Sequence, residues 1–78
     1  MMPRPVLIVC REYRGRVLLV SPTDSDVHAL LNRAGVRWAW HRDGATVRPS
    51  AVPDAVAVAE AEGWTVRDSR ARQRARQA

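Results

Sequence analysis

Apolar residues in this chain are grouped at strand spacing in two places, and each group is interrupted by a turn dipeptide. Val6–Tyr13 and Arg16–Val20 are rich in β-branched and aliphatic residues on either side of Arg14-Gly15, which predicts a hairpin with a two-residue turn. The second group is Val36–Pro49, where Trp38 and Trp40 alternate with other residues and Asp43-Gly44 is the dipeptide a type I′ turn prefers. With Arg42 and Ala45 flanking that turn, His41 faces Thr46, Trp40 faces Val47 and Ala39 faces Arg48. Val36, Trp38, Trp40 and Val47 then share one face, and Arg37, His41 and Arg48 the other. In the first hairpin, Tyr13 pairs with Arg16, Glu12 with Val17, Arg11 with Leu18 and Cys10 with Leu19. This predicts a core face of Val6, Ile8, Cys10, Val17 and Leu19. The opposite face holds Leu7, Val9, Arg11, Tyr13, Arg16, Leu18 and Val20, apolar at one end and basic at the other.

Between and after the hairpins the period changes to that of a helix. Ser21-Pro22-Thr23-Asp24 reads as a helix start, with Ser21 able to cap and proline suited to the first turn, and Val27, Leu30, Leu31 and Ala34 form an amphipathic stripe. Asp24 and Asp26 complement the dipole at that end. Gly35 stops the helix and Val36 turns back toward Leu31, as in a Schellman motif. A second helix, capped by Ser50 or Val52 with Pro53 and Asp54 in its first turn, repeats the stripe at Val52, Ala55, Val56 and Ala59. It ends at Gly63, and Trp64–Arg67 forms a last short strand. The order is β-β-α-β-β-α-β, a loose internal repeat, and predicts an α+β two-layer domain: a mainly antiparallel sheet with two helices on one face.

With 78 residues there is room for one domain, in which nearly every large apolar side chain must be buried, so Trp38, Trp40 and Trp64 are expected in the core and His28 and His41 on the surface. All 13 basic residues are arginine, lysine and phenylalanine are absent, and alanine and valine abound. That fits a GC-rich coding sequence such as an actinobacterium's or its phage's. Residues 1–66 carry eight arginines against seven acids, and residues 67–78 carry five against one. The chain therefore divides into a nearly neutral domain, 1–66, and a basic tail, 67–78. Cys10 is the single cysteine and the histidines are His28 and His41, so neither an internal disulfide nor a four-ligand zinc site is expected, nor any other metal or cofactor. The apolar runs fall short of the roughly 20 residues that cross a bilayer, and Pro5–Cys10 falls short of the ~7-residue core of a signal peptide. A cytoplasmic protein without membrane contact is expected.

No serine, histidine and acid arrangement, phosphate loop or paired carboxylate is legible, so the expected function is non-enzymatic. In the tail, Arg70, Arg72, Arg74 and Arg76 repel one another at helical spacing, and phosphates would relieve that repulsion with release of counterions. Arg37 and Arg48 are auxiliary phosphate contacts on the hairpin, and Tyr13 is the aromatic beside them. Leu7, Val9, Leu18 and Val20, with Tyr13, form a patch that a monomer rarely leaves wet, and so a candidate partner interface.

Val36-Arg37-Trp38, the turn, Thr46-Val47-Arg48-Pro49 and a helix ending at Gly63-Trp64 together resemble the hairpin-helix pattern of HARP-type domains in annealing helicases. The resemblance spans Val36–Trp64 and implies an accessory nucleic-acid-binding module in which Trp38 matches the hairpin aromatic. The aromatic residue that the family tends to show on the second strand is replaced by Val47 and Arg48. The leading expectation is therefore a small basic nucleic-acid-binding protein. The alternative is a protein-interaction module, such as a phage-type host-protein binder or a homodimer, acting through the aliphatic sheet face or an edge strand.

Overall fold

Among the described residues the chain forms β1 (Val6–Tyr13), β2 (Arg16–Val20), α1 (Val27–Arg33), β3 (Trp38–His41), β4 (Gly44–Val47), α2 (Val52–Ala61) and β5 (Thr65–Asp68), the order predicted from its pattern. The computed structural model describes residues 4–23 and 25–70, without the side chains of residues 11–13. The strands make one five-stranded sheet in the order β3-β4-β2-β1-β5. Its pairs are antiparallel except β1 with β5, which run parallel. The two hairpins join through β2 and β4, and both helices pack on one face of the sheet. No helix of the described residues is long and apolar enough to cross a membrane.

Arg14 and Gly15 both have positive φ, 52° and 75°, and the pairs next to them, Tyr13 with Arg16 and Glu12 with Val17, are those expected of a two-residue turn. Beyond them the register slips at a bulge between Val9 and Glu12, so that Val9, not Cys10, pairs with Leu19 and Ile8 pairs with Val20. One extra residue in β1 reverses the face of everything before it. Leu7 and Val9, expected on the partner face, are fully buried in the core with Val17 and Leu19. Val6, Ile8 and Cys10, expected in the core, share the other face with Leu18 and Val20.

The second hairpin turns at Arg42-Asp43, one position before the expected dipeptide. It pairs His41 with Gly44, Trp40 with Ala45, Ala39 with Thr46 and Trp38 with Val47. This shifts the pairing by two residues, so every side chain keeps its expected face. The core was nonetheless misjudged for Trp40, which is 71% exposed, and in part for Trp38, which is half-buried. The reason is position in the sheet: β3 is an edge strand, where His28 and Asn32 of α1 cover part of Trp38 and leave Trp40 beside a surface cleft.

Helix α1 starts later than Ser21. Asp26 is its N-cap, accepting from the Ala29 N–H at 2.9 Å, whereas Ser21, Thr23 and Ser25 hydrogen-bond one another in the loop before it. Its end is the predicted Schellman motif: Gly35 has φ 69°, and Val36 N–H donates to the Leu31 carbonyl at 3.0 Å. Helix α2 is entered through a 3-10 turn, Pro49–Ala51, and has no side-chain cap; neither Ser50 nor Val52 serves as one. It ends as α1 does, with Gly63 at φ 86° and Trp64 N–H donating to the Ala59 carbonyl at 2.9 Å. Strand β5 then runs to Asp68, so Arg67 and Asp68 belong to the sheet.

Arg33 at the end of α1 binds Glu62 at the end of α2 through both carboxylate oxygens, at 2.8 and 2.6 Å. The hydrogen bond from Arg33 holds the Glu62 carboxyl below its ordinary range. A carboxyl with a depressed folded-state value contributes stability above its unfolded value, and that contribution disappears as pH falls through the folded value. The melting temperature of the native chain should therefore exceed that of Glu62→Gln near pH 7, and the two should converge in acid below the carboxylate range, about pH 4. A pH-independent difference would assign the effect of Glu62 to packing.

Candidate functional site

The face of the sheet away from the helices is built in transverse rows by the strand pairing. One row runs from His41 through Gly44, Val20 and Ile8 to Arg67. The next holds Ala39, Thr46 and Leu18, with the bulge of β1 beyond. One step past the row of Trp38, Val47 and Val17, the register of β3, β4 and β2 brings Arg37, Arg48 and Arg16 to the same level, with Tyr13 opposite Arg16. Val6 and Thr65 close the other end. The result is an aliphatic strip on β1 and β2 with arginines at one end and Arg67 along one side.

This face is open only in that α1 and α2, the helices of the described residues, pack on the opposite side of the sheet; Val6, Ile8, Cys10, Leu18 and Val20 on it are half-buried. Leu18 and Val20 lie where the sequence placed the partner interface; Leu7 and Val9 do not, and the side chain of Tyr13 lies outside the described residues. Arg16 is drawn onto the sheet, its Nε donating to Thr46 Oγ1 at 3.0 Å and its Nη2 to the Thr46 carbonyl at 2.9 Å. Burial pushes the Cys10 thiol above its ordinary range, and the Asp43 carboxylate adds to that, so the group beside the strip is a thiol and not a thiolate. At the β5 side a pocket of about 510 Å³ opens beside Ile8, Arg67, Asp68 and Ser69, where Ser69 Oγ donates to the Val9 carbonyl at 2.8 Å.

The arginines assigned to nucleic acid fare differently. Arg37 and Arg48 are exposed and line one pocket of about 200 Å³ with Asp54. Arg70 forms a two-point ion pair with Asp68, at 3.0 and 2.8 Å. Arg72, Arg74 and Arg76 lie outside the described residues. A second cleft, about 260 Å³, separates the start of α1 from the β3–β4 turn and is walled by Trp40, His28 and His41. His28 was expected on the surface, yet its Nε2 donates to the Gly44 carbonyl at 2.6 Å and its ring stacks on Trp38 at 4.4 Å and 11°. His41 Nδ1 accepts from the Asp43 N–H at 3.0 Å and steadies the turn. Among the described residues no cluster of histidine, cysteine and acids could hold a metal ion. No family model, curated protein or solved structure matches the chain, so the geometry of the open sheet face carries the functional reading.

Proposed function

We propose that the protein is a protein-interaction module that docks its partner on the open face of the sheet. The observation that carries this reading is the continuity of Val6, Ile8, Leu18 and Val20 across two hydrogen-bonded strands, on the face opposite α1 and α2. Contiguous aliphatic side chains outside the core mark a binding surface more often than scattered ones do. Leu18→Glu places a charge in the middle of that strip without touching the core. Its thermal melt should stay close to that of the native chain, whereas recovery of any partner bound by the native chain should fall about tenfold or more, since removing a central apolar anchor costs roughly 2 kcal/mol. Quantitative affinity capture with both proteins measures this. Undiminished recovery with Leu18→Glu would remove the open face from the function.

Nucleic-acid binding is the second reading, supported by Arg37, Arg48 and Arg16 at one level of the sheet and by the surplus of arginine in residues 67–78. Its test is truncation after Arg70, because a cut after Val66 would remove half of β5 along with the tail. Three tail arginines neutralising phosphates would make the slope of log K against log salt shallower by about 2 to 3 after truncation, for all oligonucleotide sequences alike. An unchanged slope would take the tail out of any nucleic-acid contact.

A further inference from the structure

We infer that the occupant of the open face is an acidic amphipathic helix of a partner protein. This rests on the reading of that face as a docking surface and adds the partner's chemistry. Shape supplies the first argument. The apolar positions come from β1 and β2 alone, adjacent strands about 4.8 Å apart, and Val6 to Cys10 runs about 13 Å along the strand. A strip two strands wide and that long accommodates the apolar stripe of one helix, itself about 10 Å across with its side chains, over roughly two and a half turns. It does not match a second sheet, which would extend over β5 and β4 and cover Arg67 and Thr46 as well.

Charge supplies the second argument. Arg67 pairs with Ile8 on one side of the strip, and Arg48 continues β4 past the end of the other. Arg37, Arg48 and Arg67 have no ion pair among the described residues, whereas Glu62 and Asp68 are already engaged by Arg33 and Arg70. The residues paired with Ile8, Leu18 and Val20 are Arg67, Thr46, Gly44 and one another, with no acid among them. A second copy laid on this face would bring arginine toward arginine in a chain of net charge +5. A helix with leucine-like residues on one face and glutamates flanking them would bury the strip and pair with the arginines at its rim, where complementary charge selects one partner over another.

The test uses two synthetic peptides of about five helical turns with the same leucine stripe, one flanked by glutamates and the other by lysines, together with a single-stranded oligonucleotide. Each is titrated into the isotopically labelled full chain, and backbone amide shifts are followed by NMR. The glutamate peptide should move Val6, Ile8, Leu18, Val20 and Arg67, and the lysine peptide should bind about tenfold or more weakly. The double variant Arg48→Glu and Arg67→Glu, both exposed positions, should invert that preference. Equal binding of the two peptides at this face would overturn the acidic partner while leaving the docking surface standing. Failure of both peptides, or shifts confined to other surfaces, would overturn the docking surface too. Shifts on this face from the oligonucleotide alone would transfer it to nucleic acid, and a sedimenting dimer dissociated by Leu18→Glu would assign it to a second copy.

Discussion

Leu7→Asp should abolish the fold under conditions in which Ile8→Asp remains folded. Leu7 is fully buried among the core residues and pairs with Val66 on β5, so its replacement removes a packed side chain and puts a carboxylate where no water reaches. Truncation of a buried leucine alone costs roughly 2 to 5 kcal/mol, and burying an unpaired charge adds several more. A domain this small sits near the low end of the roughly 5 to 15 kcal/mol that folded domains possess. Ile8, one residue on, points to the open face and is half-buried. Its replacement loses partial burial and strand preference, about 1 to 2 kcal/mol. Circular dichroism and denaturant melts decide between them. An unfolded Ile8→Asp beside a folded Leu7→Asp would mean that the bulge is absent and the faces of β1 are reversed, and two folded variants would mean that Leu7 is not in the core.

That contrast marks where the sequence stops being informative. Val6–Cys10 is apolar at every position, so either parity satisfies it, and alternation is silent on which side faces the helices. β1 lies between β2 and β5 and is the longest strand, and its stretch Ile8–Tyr13 has one residue more than the β2 stretch Arg16–Val20 that it pairs with, which a bulge absorbs. Unequal strand lengths in a tight hairpin were the available signal. The second hairpin shows the opposite case: its turn moved by one position, but the two-residue change in pairing kept Trp38, Trp40 and Val47 on one face. What pattern could not show was cover. A residue on the helix side of an edge strand is buried only if a helix extends over it, and α1 has seven residues.

Local punctuation was more legible than packing. Both Gly-terminated helix ends formed as predicted, because the left-handed residue and the backbone hydrogen bonds after it are decided within six residues of chain. The start of α1 was harder to place, since Ser21, Thr23, Asp24, Ser25 and Asp26 are all residue types that cap. Asp26 serves because it immediately precedes Val27, the first residue of the apolar stripe. At the candidate site, Leu18 and Val20 were placed on the open face from the pattern, and so were Arg37 and Arg48 on the side away from the core. Arg67 was expected in the last strand, but its place beside Ile8 at the candidate site was missed, since the parallel pairing of β5 with β1 joins segments far apart in sequence and has no local signature.

Gly44→Ala should destabilise the domain by about 3 kcal/mol or more, and Gly15→Ala by roughly 1 to 2. The two glycines are needed for different reasons. Gly15 has φ 75° and open space around it, so an alanine there meets only the intrinsic penalty of a left-handed backbone. Gly44 lacks a positive φ although it was expected to supply one. It is the first residue of β4 and pairs with Val20, and a Cβ on it would overlap the backbone carbonyl oxygen of Leu19. A side chain can swing away from such a clash; a central strand's backbone cannot without parting β2 from β4, the one pairing that joins the two hairpins. The Gly44 carbonyl also accepts from His28, so displacing this strand start loosens α1 and the stack on Trp38. Denaturant melts of the two variants measure both costs, with Trp38 and Trp40 fluorescence reporting on β3. If Gly15→Ala proved the more damaging, turn conformation and not close strand approach would govern the stability of this sheet.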